Sequence, residues 1–120
     1  MRILAVILAL VVVVSHFGFA GAEMFYWQHP DVMARFGTSP EFAKASAVLA
    51  ANQGFYNGLF AAAIAWALAT WNRPMLLVLL ACIVAAGVYG GLTAKPGILV
   101  VQALPALLAF GATWLAGRST

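Results

Sequence analysis

Two ionisable side chains, His16 and Glu23, stand seven residues apart in an apolar stretch. On a helix that spacing brings both to one face, about 10 Å apart along the axis at 1.5 Å per residue. An imidazole changes charge near neutral pH, and a carboxylate accepts a proton or pairs with a cation, so the pair suggests proton or cation handling. Amide and phenol groups follow: Asn52, Gln53, Tyr56 and Asn57 in one cluster, then Tyr89, Thr93 and Gln102. Such groups hydrogen-bond ligands. Inside membranes they also join helix to helix, at roughly 0.6–2 kcal/mol per bond. The ligand-binding or proton-handling set read from the sequence is His16, Glu23, Asn52, Gln53, Tyr56, Asn57, Tyr89 and Gln102, with no catalytic residue and no metal ligands assigned.

The elements that must position these residues follow from composition. Of 120 residues, 65% are hydrophobic and 8% charged, and mean hydropathy is +1.01. A soluble domain carries about 25% charged residues, and a chain this short has too little interior to hide the apolar excess. That excess is expected to face lipid. A net charge of +3 without a Lys/Arg cluster argues against nucleic acid as a partner. The single cysteine, Cys82, excludes an intramolecular disulfide and reads as a small buried hydrophobe.

Charges divide the chain into four uncharged stretches, Ile3–Ala22, Ala45–Asn72, Pro74–Ala94 and Pro96–Gly117, each 20 residues or longer. About 20 apolar residues cross a ~30 Å hydrocarbon core as helix, and open strands would leave backbone groups unpaired in lipid. The expected fold is all-α, a polytopic membrane protein forming an up-down bundle of four transmembrane helices. It makes a single integral membrane domain over residues 1–120, with helices at about 3–23, 40–71, 74–93 and 97–117 and an interfacial connection over 24–39. Asn72-Arg73-Pro74 and Ala94-Lys95-Pro96-Gly97 are tight turns, with Pro74 and Pro96 suited to helix starts. Pro30–Phe36 suits one or two amphipathic turns closed by Gly37. Ser39-Pro40-Glu41 reads as a capped start for the second long helix. Met24-Phe25-Tyr26-Trp27 resembles an interfacial aromatic belt, with Trp71 and Trp114 marking the other interface.

The N-terminus also has the pattern of a secretory signal, with Arg2, an apolar run and Ala20-Gly21-Ala22. Its polar residues match those of the other segments, and it is kept as helix one. Lys and Arg tie at three on each side. Both termini are placed on the cytoplasmic face because Arg73 lies in so short a loop. With alternating helices, His16, Asn52, Gln53, Asn57, Tyr89 and Gln102 all fall in the half of the bilayer nearer the first connection. A polar group facing hydrocarbon costs a few kcal/mol, so these groups are expected to turn inward around a pocket.

Gly54-x-x-x-Gly58 and Gly87-x-x-x-Gly91 suit close helix contacts, either within the bundle or in a homo-oligomer. Pro105 frees the carbonyl of Val101 and is expected to kink the fourth helix beside Gln102. No Walker loop, dinucleotide fingerprint, Cys/His cluster or G-x-S-x-G is present, so no cofactor is expected. His16, His29 and Glu23 have no metal-demanding spacing, and Met24 and Met33 read as packing rather than copper ligands.

Several of these residues recur as a pattern: His16 and Glu23-Met24-Phe25, Asn52-Gln53-Gly54-Phe55-Tyr56-Asn57-Gly58, Gly87-Val88-Tyr89-Gly90, and Gln102 with Pro105-Ala106. In order and over nearly the whole chain, they resemble the domain-of-unknown-function 1304 membrane proteins. The resemblance implies a compact four-helix bacterial inner-membrane protein and implies no particular reaction. The residues suggest three readings. The first is a protein that binds or transports a small amphiphilic or lipid-like molecule, with membrane lipid as its surroundings. The second is an intramembrane acid–base enzyme acting on an isoprenoid or quinone-like lipid, and the third a structural subunit. The first is preferred.

Overall fold

The computed structural model describes residues 1–118, and their regular structure is helical throughout. The order is α1 (Arg2–Phe25), α2 (Pro30–Phe36), α3 (Pro40–Ala69), α4 (Arg73–Thr93), a π-helical turn (Leu99–Ala103) and α5 (Leu104–Ala116). Three helical stretches, Arg2–Phe25, Arg73–Thr93 and Leu99–Ala116, are long and apolar enough to cross a membrane. At 30 residues α3 is the longest helix, but Asn52, Gln53 and Asn57 interrupt its apolar run. The described residues group into two compact units: Met1–Val14 with the chain from Ala62 on, and Ser15–Ala61.

In the first of these, α4 runs antiparallel to the π turn and α5. A methyl group on Gly87 would stand 2.7 Å from the Ala103 backbone nitrogen, so the two backbones touch. Gly91 likewise receives the Leu99 side chain. Buried positions on α4 recur as Leu76, Leu80, Ile83, Gly87 and Gly91, the spacing of one helix face. They meet an Ala-rich partner, with Ala106, Ala109, Ala112 and Thr113 buried on α5. Many large residues point outward instead, Val78 and Leu107 among them. Lipid tails are as apolar as leucine, so small residues that let backbones close up are the ones buried. Cys82 is exposed, contrary to the buried position expected for it. It falls off the buried stripe of α4.

The π turn replaces the simple kink expected at Pro105. The Leu104 amide bonds to the carbonyl of Leu99, five residues back instead of four. Proline has no N–H to give and its ring crowds the carbonyl four residues before it. Widening the turn ahead of Pro105 relieves that crowding, and Gln102 lies half-buried within it. At the far end of α5, Arg73 Nε donates to the Thr113 carbonyl at 3.1 Å and Nη2 to that of Trp114 at 2.9 Å. Carbonyls at a helix C-terminus lack partners in their own helix, and Arg73 supplies them. Trp71 ends α3 with a left-handed φ of 49°, its neighbour Asn72 donating back to Ala67 at 2.8 Å. Glycine usually occupies such a position, and a larger residue there costs about 1 kcal/mol. Arg2 lies over the Trp71 ring at 4.4 Å.

In the second unit the later half of α1 runs antiparallel to the first half of α3, and α2 bridges them. Ser39 Oγ accepts from the Phe42 amide at 3.1 Å and caps α3. At α2, His29 Nδ1 accepts from the Asp31 amide at 3.2 Å, and Gly37, with φ 67°, closes the helix. Trp27 ties this connection down. Its ring meets Phe36 edge-on at 5.0 Å, and its Nε1–H donates to Ser46 Oγ on α3 at 3.0 Å.

Candidate functional site

The site begins with a close approach of two helices. On α1, His16, Ala20 and Glu23 are buried; on α3, Ala43, Ala50 and Ala61 are, together with Gly54. A methyl group at Gly54 would lie 2.8 Å from Met24 Cγ, 2.9 Å from Glu23 Cβ and 3.0 Å from the Ala20 carbonyl. Only a glycine lets α3 come this near. One turn on, Gly58 faces Ala20 with room to spare, at 3.6 Å. The approach brings Asn57 Nδ2 within 2.7 Å of Glu23 Oε1, to which it donates.

Glu23 is only 8% exposed. Among the described residues Asn57 is the one hydrogen-bond partner of its carboxylate. A carboxylate accepts several hydrogen bonds, and this one lines an open cavity of about 330 Å³. The walls are the run Glu23, Met24, Phe25, Tyr26, Trp27, Gln28 and His29 from the end of α1, closed by Ala47 of α3. Tyr26 and His29 meet edge-on at 6.4 Å. With Trp27 fixed to Ser46 and Phe36, the walls are held in place before any ligand arrives. His16 lies two turns deeper on α1, 1% exposed, its ring edge-on to Phe19 at 5.3 Å.

The remaining residues expected at the site are not among those lining this cavity. Asn52 is exposed, and its Nδ2 donates to the Val48 carbonyl of its own helix at 2.9 Å. Gln53 is exposed too. Tyr56, 61% exposed, shares with Asn52 the side of α3 away from Gly54. Tyr89 and Gln102 belong to the other unit, Tyr89 at 72% exposure on α4. The sequence reading missed the cavity-lining roles of Tyr26, Gln28, His29 and Ala47 and the Trp27–Ser46 tether. A signal was available in the small residues at Ala43, Ala47, Ala50, Gly54, Gly58 and Ala61. Their spacing of three and four marks one face of α3 as a contact face.

Chemically, the arrangement is a carboxylate fixed by an amide donor beside an aromatic cavity. It suits holding a proton or a cation. Glu23 and His16 are separated by about 10 Å of helix rise, too far for direct proton exchange. Among the described residues no group of three or more His, Cys, Asp or Glu stands close enough to hold a metal.

These features define a class, a small all-α protein with membrane-length helices and a buried carboxylate–amide pair. The chain belongs to the family described as protein of unknown function DUF1304, whose sequence model matches residues 10–114. No curated protein and no solved structure matches it.

Proposed function

We propose that this chain is a multi-pass protein of a bacterial inner membrane, with α3 as its fourth span, which binds or carries a small amphiphilic molecule at the Glu23 cavity. One observation carries the binding reading. A nearly buried carboxylate is held by Asn57 at 2.7 Å and opens on a cavity with aromatic walls. Ligand sites are concave and fitted with a few placed polar groups that fix orientation. Support for α3 as a span comes from its amides, since Asn57 bonds to Glu23 and Asn52 to its own backbone. A polar group paired internally costs far less in lipid than a bare one. The long separation of Glu23 from His16 favours binding over acid–base catalysis.

The test is calorimetric titration of single-chain amphiphiles into the purified protein in neutral-detergent micelles. Wild type is expected to bind, and Gly54→Leu, which blocks the approach of α3 to Glu23, is expected not to. Equal binding by both proteins across every amphiphile class would end this reading.

A further inference from the structure

We propose that the molecule taken by the Glu23 cavity is an organic cation, an amphiphile whose ammonium head sits against the Glu23 carboxylate. This rests on the binding reading above and adds the sign of the ligand's charge. Glu23 is the one carboxylate lining the cavity, and no Lys or Arg lines it. Its Oε1 is engaged by Asn57, an uncharged donor that fixes the group without neutralising it. A carboxylate this enclosed gains most from a cation, because charge attraction strengthens as water is excluded. An anionic head would meet like charge and be rejected.

The walls point the same way. Three aromatic residues, Phe25, Tyr26 and Trp27, line the cavity. A cation within about 6 Å of a ring centroid is attracted by the ring quadrupole, and quaternary ammonium groups are recognised by such walls. Trp27 is already immobilised by its bond to Ser46 and its contact with Phe36, so little ordering remains to be done on binding. Phe25 is largely exposed at the rim, where an alkyl tail can leave the cavity along apolar surface.

The experiment uses the full chain in neutral-detergent micelles with three ten-carbon probes: decyltrimethylammonium, decyl sulfate and uncharged decyldimethylphosphine oxide. Calorimetric titration is expected to give at least tenfold tighter binding of the ammonium than of the phosphine oxide, and no binding of the sulfate. Glu23→Gln keeps an acceptor for Asn57 and so should fold. It is expected to reduce ammonium affinity at least tenfold and not to weaken the phosphine oxide, whose oxygen can accept from the new amide. Tyr26→Leu, at a more exposed wall position, is expected to weaken the ammonium a few-fold. Equal affinity for the charged and uncharged probes, unaltered by Glu23→Gln, overturns the inference while leaving an amphiphile site. Tighter binding of the sulfate overturns it as well. Failure of all three probes removes the site altogether.

Discussion

Two glycine contacts in this protein do the same mechanical work to different ends. At Gly87 the backbone of α4 lies against Ala103, and the residues around the contact are Leu, Ile and Ala. At Gly54 the backbone of α3 lies against Ala20 and Glu23, and three residues on it delivers Asn57 to the carboxylate. Close approach in a membrane protein therefore has two uses. It gains dispersion contacts where lipid offers no hydrophobic drive. It also sets the distance at which short polar side chains can meet.

The largest expected effects break both contacts. Gly54→Leu and Gly87→Leu should each lower stability by about 3 kcal/mol, the upper end of overpacking, measured by unfolding in mixed detergent micelles. Only Gly54→Leu should also abolish amphiphile binding. If Gly87→Leu abolishes it equally, the contrast between the two contacts is wrong. Next comes Asn57→Leu, which leaves a nearly buried carboxylate without its donor and should cost about 1–3 kcal/mol. Glu23→Gln should cost clearly less, because the pair keeps a hydrogen bond; the reverse order would show that the bond matters little. Arg73→Met removes two donors from the end of α5 and should cost about 1–2 kcal/mol. Faster amide exchange is expected in the last turn of α5, with binding at Glu23 unaltered. The smallest change is Gly18→Ala. A methyl group there meets nothing within 4 Å, so helix propensity should make the variant about 0.5 kcal/mol more stable. A loss similar to that at Gly54 would mean that glycine spacing alone, not contact, governs these helices.

Much of the helical layout was open to sequence reading because its punctuation is local. Ser39 and Pro40, Asn72 and Pro74, and Gly37 stop or start helices through their own backbone chemistry. The apolar runs were plain for the same reason. The count of membrane-length helices was less so, since the amides that make α3 interesting also lower its hydropathy. Within the site, the seven-residue spacing of His16 and Glu23 put them on one buried face, and Asn57 stood out as an amide on a glycine-flanked helix. Asn52 and Tyr56 stood out equally, yet they face outward. Residue type does not reveal which side of a helix its neighbour covers when the surroundings are as apolar as the interior. Cys82 was misread by that same logic. The cavity itself depends on Trp27 reaching Ser46, a contact between residues 19 apart in sequence, and no local pattern announces it.

The five-residue turn at Leu99–Ala103 holds a surplus. In an ordinary turn the amide reaches back four residues, whereas here the amide of Leu104 reaches back five. Val100 and Val101 sit exposed in this loop of helix. A chain shortened by one of them could close the turn as plain α-helix and still present Ala106 and Ala109 inward, provided Pro105 is replaced too, because its ring would otherwise meet the carbonyl four residues before it. Elsewhere in the apolar stretches, losing one residue would swing every later side chain by about 100°. Among the described helices this turn is thus a place where length is negotiable, directly ahead of Pro105.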